Sequence, residues 1–245
     1  MRILTGNKLW LSQASAAIPS NKPIVFWDTC ALLDILRIPL IDRKNLNINT
    51  LHAYEGIEAW IRAGRLVSVT SDLVVKEFSE HADDIVNQLS QQERKTKDEV
   101  AEQSRYMNNV PLATSIVAKV NLLDVQSRVV KLVKKILSQT IILKGQLSFA
   151  HNADYRVRNY IKPSGGKESY KDCYLWISYI SLLKKVVPTE PVFFYTTNPA
   201  DFAENKKSTN LHPDLISELP SANCGCALNM TILNGKLTQY FGLHP

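Results

Sequence analysis

A short apolar run that ends in a carboxylate is the feature of this chain that most constrains its fold. Residues 24–27, Ile-Val-Phe-Trp, have the composition of a buried strand, and Asp28 follows them directly. Helix-forming residues begin at Thr29. Ligands bind at the carboxyl edge of open parallel sheets, so Asp28 is a candidate site residue. Aspartate is also a common helix N-cap, and that structural role is equally compatible with the sequence.

The same strand-to-helix pattern recurs downstream. A helix over about 50–64 precedes a strand over 66–70. Ser71 is a good N-cap for the next helix, and Glu77 falls on the second turn of that helix. Repeated βα units predict an α/β fold in which helices flank a central parallel sheet, with residues 1–245 forming a single domain.

Two more polar positions follow the same rule in the C-terminal half. Asp172 lies near the N-terminal end of a helix with an apolar face, where the helix dipole stabilises a carboxylate by roughly 0.3–1 kcal/mol. The strand over 192–197 ends beside Asn198 and Asp201. These residues are therefore also expected at a strand end or in the first turn of a helix.

The stretch between the second and third acidic positions has a different character. Residues 81–110 are crowded with charge and have few apolar anchors, which predicts a solvated helix projecting from the domain. Residues 116–143 alternate apolar and basic side chains, which favours an amphipathic helix with a solvated face over a nucleic-acid-binding helix. Together they predict a helical insertion at about 81–150.

Basic and aromatic residues from 151 to 171 predict a loop that could hold a nucleic-acid strand, because lysine and arginine neutralise phosphates and aromatic rings stack on bases. An ordinary surface loop is an equal alternative. Two further lysines follow Asp201. The candidate nucleic-acid-binding residues are Arg156, Arg158, Lys167, Lys171, Lys206 and Lys207.

Composition sets broader limits. The formal charge of +6 favours an anionic partner such as nucleic acid, in keeping with a sequence pI of about 9.1. The four cysteines form neither a disulfide framework nor a complete zinc pattern, so a reducing cytoplasm is expected. Residues 1–23 lack the continuous apolar core of a signal peptide, and we expect no membrane span.

Four short motifs, taken in order, resemble those of the PIN family of metal-dependent nucleases. They are Val-Phe-Trp-Asp at 25–28, Leu-Val-Val-Lys-Glu-Phe at 73–78, Lys-Asp-Cys at 171–173 and Thr-Asn-Pro-Ala-Asp-Phe at 197–202. The last motif and a segment at 211–215 are similar to those of longer bacterial PIN-like proteins. Each motif is degenerate, and the specificity lies in their order and context.

The resemblance implies a PIN-like three-layer fold in which four acidic side chains act in catalysis at one sheet edge. They are Asp28, Glu77, Asp172 and Asp201, and Asn198 joins them as a metal ligand. Many PIN proteins have aspartate at the position of Asn198, so a weaker second metal site, or one rescued by Asp201, is expected. Hard cations such as Mg²⁺ or Mn²⁺ prefer such oxygen ligands, and they promote phosphodiester hydrolysis by activating water and stabilising the leaving oxygen.

The implied function is an Mg²⁺- or Mn²⁺-dependent endoribonuclease that cleaves single-stranded RNA, with DNA as a less favoured substrate. A toxin or defence effector restrained by an inhibitory or regulatory protein partner would fit the same pattern. The main alternative is a catalytically inactive PIN-like RNA-binding or scaffolding module, because Asn198 weakens the acidic cluster. A haloacid-dehalogenase-type phosphotransferase would need an aspartate where Cys30 stands. The oligomeric state is left open, and a homodimer is compatible with the sequence.

Overall fold

The computed structural model describes residues 6–41, 48–106, 114–164, 169–205 and 207–242. Within these ranges the chain forms six strands and ten helices. In chain order they are β1 (Lys8–Leu9), α1 (Leu11–Ala17), β2 (Ile24–Trp27), α2 (Thr29–Ile41), α3 (Ile48–Arg62), β3 (Val67–Ser71), α4 (Asp72–Tyr106), α5 (Thr114–Gln139), β4 (Ile141–Leu143), α6 (Leu147–Arg158), α7 (Tyr170–Val186), β5 (Val192–Tyr195), α8 (Pro199–Phe202), α9 (Pro213–Ile216), β6 (Cys224–Ala227) and α10 (Met230–Phe241).

The strands form one sheet in the order β1-β4-β3-β2-β5-β6, and every neighbouring pair is parallel. All carboxyl ends therefore meet at one edge. The chain moves from β2 towards β3 and β4 in one direction and later places β5 and β6 on the other side of β2. Such a reversal leaves a crevice outside the carboxyl ends of the two strands that flank it, here β2 and β5.

The two strands at the reversal are completely buried. Every residue of β2 and of β5 is buried, as expected for parallel strands covered on both faces. The helices pack in two groups: α6 and α1 lie against α7, while α2, α3, α4 and α5 pack with one another and α10 packs on α3. The predicted α/β fold with helices flanking a parallel sheet is confirmed.

The helix after Asp28 continues past Pro39, a residue at which the sequence alone predicts that it ends. Pro39 lies inside α2, which continues to Ile41. The carbonyl oxygen of Pro39 accepts a hydrogen bond of 3.4 Å from Gln92 on α4, so a neighbouring helix satisfies an acceptor near the end of α2. Tertiary packing thus extends the helix past a residue that usually stops one.

The charged segment after Glu80 packs against the domain as far as Thr96, so the predicted solvated helix is wrong for that part, while residues 97–102 are exposed or half-buried. It continues α4 without a break as far as Tyr106, and α4 packs against α2 and α5. Buried side chains recur every three or four residues along it, which gives a continuous contact stripe. The members of this stripe are Ala82, Ile85, Leu89, Gln92 and Thr96. Two of its five members, Gln92 and Thr96, are polar, which is why apolar content alone did not reveal the stripe.

Short strands also fall where helix or loop was predicted. Residues 141–143 form β4, which pairs with β3, so the predicted insertion over 81–150 contains a strand of the central sheet. The N-terminal strand β1 pairs with β4 and was not predicted. The loop predicted to start at 151 is helical as far as Arg158, because Phe149 and Ala153 pack against α7. Strands of two or three residues are too short for a periodic signal.

The structure also describes the state of the cysteines and the hydrophobicity of the helices. All four cysteines are free thiols in the structure. Across the described residues, no helix has the length and apolar character needed to cross a membrane.

The packing of α4 predicts the effect of truncating its buried stripe. Leu89 is 4 % exposed, and Leu89→Ala should lower the free energy of unfolding by about 2–5 kcal/mol because a core cavity is created. The matched control is Ser90→Ala on the exposed side of the same turn, which should change stability by less than about 0.5 kcal/mol. Urea unfolding measures both. Equal, small effects would mean that this part of α4 is solvated after all.

Candidate active site

Asp28 lies at the carboxyl end of β2, and three donors hold its carboxylate in place. Oδ1 accepts the Thr29 backbone N–H at 2.6 Å, while Oδ2 accepts the Cys30 thiol at 2.8 Å and the Thr196 hydroxyl at 2.6 Å. An N-cap side chain would accept from the second or third helical N–H, so these contacts do not support the capping role. Burial raises the pKa of Asp28, and the three hydrogen bonds oppose that rise.

Glu77 reaches the same place from the second turn of α4. Its Oε2 accepts the Thr29 hydroxyl at 2.6 Å, and its Oε1 accepts from the Lys171 ammonium at 2.9 Å. Thr29 therefore connects two carboxylates, donating its N–H to Asp28 and its hydroxyl to Glu77. The hydrogen bond to Glu77 raises the pKa of Lys171.

Asp172 approaches from the first turn of α7. Its pKa is raised to about 7, first by burial and then by the negative charges of Asp28, Asp201 and Glu77. A hydrogen bond from Ser169 partly offsets these effects. Asp172 is therefore the side chain on which the charge repulsion of the cluster is most evident.

Asn198 and Asp201 form a pair beyond β5. The Asn198 side-chain amide donates to Asp201 Oδ2 at 2.7 Å, and its backbone N–H donates to the Thr196 hydroxyl at 3.0 Å. Thr196 thus connects Asn198 to Asp28. The contact with Asp201 orients the amide, so Asp201 acts on the site through Asn198 in this conformation.

A cavity of about 280 Å³ opens at this edge of the sheet. Asp28, Glu77, Asp172 and Asn198 all line it, whereas Asp201 is not among its lining residues. The remaining lining residues are Thr29, Cys30, Leu33, Arg37 and His81. An adjoining cavity of about 220 Å³ shares the same acidic residues and adds Lys171. The carboxylates predicted from separate parts of the sequence therefore converge on one crevice.

A larger cavity of about 550 Å³ lies elsewhere, between α3 and α10. Its lining includes His52, Glu55 and Trp60 but none of the acidic residues at the sheet edge. Volume alone would select this cavity, but polar groups that converge are the better indicator of a reactive site. We therefore place the candidate active site at the smaller, acidic cavity.

The donor chemistry of the acidic cavity fits a hard divalent cation. Carboxylate and amide oxygens are the ligands that Mg²⁺ and Mn²⁺ prefer, and the buried charges lack a full complement of positive charge. The geometry is not a closed cage: in the described part of the chain, no three His, Cys, Asp or Glu side chains are arranged to hold a metal ion. Both Glu77 oxygens already accept hydrogen bonds, one of them from Lys171. Asp28, Asp172 and Asn198 line the cavity and are the candidate ligands, and Glu77 could join them after leaving Lys171.

The predicted nucleic-acid-binding residues have different environments. Arg156 is buried, and its guanidinium group donates to the Lys162 carbonyl oxygen and to the Glu218 carboxylate. In this conformation the group is therefore not exposed to a substrate. Phe149 and Ala153 on the same helix are buried against α7, so Arg156 is buried with them. The charge pattern of the sequence did not reveal this burial. Arg158 is exposed and pairs with Asp154 at 2.9 Å.

The lysines among these candidates also differ. Lys171 borders the cavity through its contact with Glu77, and Lys207 is exposed. Lys167 and Lys206 lie outside the described residues, and they remain predictions. Of the described candidates, Lys171 is the one that directly borders the acidic cavity.

Sequence reasoning missed four residues near the carboxylates. Arg37 and His81 line the cavity, and Cys30 and Thr196 hold Asp28. His81 could have been found, because it lies four residues after Glu77 and so on the same helix face. Arg37 gave no comparable signal, since its position depends on how α2 crosses the sheet.

Comparison of the chain with protein-family models, with curated proteins and with solved structures found no match.

The raised pKa of Asp172 predicts a pH dependence of stability in the metal-free protein. Between its unfolded value near 3.8 and its folded value of about 7, the folded state binds the extra proton, so stability falls as the pH rises through this window. Asp172→Asn removes that penalty. Its free energy of unfolding should equal that of the wild type near pH 4 and exceed it by at most about 4 kcal/mol above pH 7.

Urea unfolding in excess chelator from pH 4 to 8 measures this difference. Asp84→Asn, which changes an exposed aspartate on α4, is the matched control and should follow the wild type throughout. A difference between Asp172→Asn and wild type that stays constant with pH would contradict the predicted environment of Asp172.

Proposed function

We propose that this protein is a metal-dependent nuclease that hydrolyses phosphodiester bonds in single-stranded RNA. The observation that carries the proposal is the convergence of Asp28, Glu77 and Asp172 on one cavity at the reversal of the sheet. These residues come from β2, α4 and α7, so their meeting is a property of the fold and not of local sequence. The order of the four motifs, which resembles that of PIN nucleases, gives independent support.

The residues would divide the work as follows. Asp28 is fixed by three donors, so its oxygens present a ligand of defined position. Asp172 and the Asn198 carbonyl group would complete the inner set, and Asp201 would orient Asn198. Glu77 would join after Lys171 moves. A bound Mg²⁺ or Mn²⁺ would supply activation of water and stabilisation of charge on the leaving oxygen.

Lys171 has two roles in this proposal. Without a cation, its ammonium group neutralises Glu77 at 2.9 Å. With Glu77 engaged elsewhere, the same group is free at the border of the cavity, where it can neutralise a substrate phosphate. The formal charge of +6 adds a long-range attraction for polyanions. Electrostatics thus favours a phosphate-bearing substrate despite the acidic centre.

The proposal predicts cleavage of single-stranded RNA in the presence of Mn²⁺ or Mg²⁺ and none in excess chelator. Asp28→Asn and Asp172→Asn should each lower the cleavage rate at least about 100-fold, because each removes a charged ligand and even outer-shell ligand partners are worth 10–100-fold. The exposed Asp84→Asn is the control and should cleave at the wild-type rate. Gel analysis of labelled RNA and DNA strands measures the rates.

Folding of the variants can be checked separately. In Asp28→Asn, the amide oxygen can still accept the Thr29 N–H, and the amide nitrogen can donate to Thr196 once that hydroxyl rotates. Burial also disfavours the Asp28 charge, so the variant should melt at or above the wild-type temperature. Full cleavage by either asparagine variant, or full cleavage in chelator, would contradict the mechanism.

An inactive RNA-binding module is the second candidate. Asn198 stands where an aspartate would add charge, and the oxygens of Asp28 and Glu77 already accept hydrogen bonds. RNA binding without cleavage at any Mn²⁺ concentration would favour this module over the nuclease. A toxin or defence role and a protein partner remain predictions from the resemblance alone.

A further inference from the structure

A row of basic and aromatic residues runs along the carboxyl edge of the sheet, away from the acidic cavity. Leu9, Leu143 and Ser71 share one row of the sheet, since Leu9 pairs with Leu143 and Leu143 pairs with Ser71. Trp10 and Lys144 are the next residues of their strands. They therefore lie on the same edge as Asp28, on the side of β1 and β4.

Close contacts connect this row to the cavity. Lys144 Nζ lies 5.1 Å from the centre of the Trp10 ring. Gly145 approaches α7 so closely that a Cβ there would lie 2.7 Å from the Tyr174 hydroxyl. The Tyr174 ring lies 6.2 Å from the ring of Tyr170, which directly precedes Lys171. A chain of contacts therefore links Trp10 to Lys171, the residue that binds Glu77, and it runs through Tyr174, which is itself buried.

The two aromatic ends of the path are accessible. Trp10 is 48 % exposed and Tyr170 is 39 % exposed, whereas the other three tryptophans are at most 2 % exposed. Asp72 lies beside the Lys144 end of the path, where it accepts the Gly145 backbone N–H at 2.8 Å. At the other end, Lys171 lies near the charges of Glu77, Glu80 and Asp172. The accessible groups are aromatic faces next to ammonium groups, a combination that suits bases joined by phosphates.

We infer that Trp10, Lys144 and Tyr170 form a binding track for single-stranded nucleic acid that leads into the acidic cavity. Bases stack on the Trp10 and Tyr170 rings, and Lys144 neutralises phosphate between them, while Lys171 can do so only once Glu77 has released it. Three strand spacings of about 4.8 Å separate β1, which Trp10 follows, from β2, which Asp28 follows, a distance of about 14 Å. At a rise of roughly 3.4 Å per stacked nucleotide, about four nucleotides would cover that distance. Delivery of the strand to a cleavage centre rests on the proposed function, but binding does not.

Trp10 provides a direct probe of the track. Because the other tryptophans are buried, acrylamide quenching of tryptophan fluorescence reports mainly on Trp10. Adding a twelve-nucleotide single strand of RNA or DNA in excess chelator should protect this fluorescence from acrylamide. A duplex of the same length should protect it much less, because its bases are already stacked and paired.

Substitutions test the track by binding affinity, measured by fluorescence anisotropy in chelator. Trp10→Ala and Tyr170→Ala should each weaken binding about five- to 100-fold, the range for loss of one base-stacking ring. Trp10→Phe should restore most of the loss. Lys144→Ala should flatten the dependence of log affinity on log salt by about 0.7. Tyr240→Ala is the matched control, since Tyr240 is 40 % exposed on α10, away from the track.

These outcomes distinguish a failure of the proposed binding track from a failure of the proposed nuclease activity. Weaker binding by the Trp10 and Tyr170 variants, with Tyr240→Ala unchanged, supports the track whether or not the wild type cleaves RNA. Equal affinity for all variants, unprotected Trp10 fluorescence, or absence of single-strand binding would overturn it. Cleavage of RNA with an unprotected Trp10 would leave the nuclease standing and remove the track alone.

Discussion

The site depends on one set of hydrogen bonds, those that hold the Asp28 carboxylate at the reversal of the sheet. Thr29 and Cys30 donate from the start of α2, and Thr196 donates from the end of β5. These donors meet because β2 and β5 are parallel neighbours with Trp27 opposite Tyr195. Thr196 then extends the network to Asn198, and Thr29 extends it to Glu77. One strand pairing therefore positions polar groups from four separate elements.

The burial of several carboxylates at one site is electrostatically unfavourable, and this cost bears on the proposed binding of a cation. Asp28 is almost completely buried, and the pKa of Asp172 rises to about 7, first because Asp172 is itself largely buried and then because of the nearby charge of Asp28. Proteins seldom retain buried like charges without a compensating partner. Lys171 compensates Glu77 but is bonded to neither aspartate. The remaining negative charge is the physical argument for the proposed divalent cation at Asp28 and Asp172, and Lys171 and Arg37 are the basic residues that line the two cavities there.

The sequence predicted the parts of this arrangement that follow from local pattern. Asp28, Glu77 and Asp172 were identified because each stands at a strand end or in the first turns of a helix, and parallel strands bring such positions to one edge. The sequence did not predict β1 and β4, which are too short to show a period, or the packing of α4, whose buried stripe includes Gln92 and Thr96. The burial of Arg156 was not predicted for a related reason, since a charge count does not reveal its ion pair with Glu218. Pairing, burial and helix crossing are tertiary properties, and no local pattern encodes them.

The central claim is that the acidic cavity binds a divalent cation through Asp28 and Asp172. Anomalous diffraction from crystals soaked in Mn²⁺ tests it most directly, because the ion itself is located. One strong peak is expected about 2.0–2.6 Å from carboxylate oxygens of both aspartates, and the peak should disappear in Asp172→Asn crystals. An empty cavity at saturating Mn²⁺, or an ion bound only at other sites, would contradict the account.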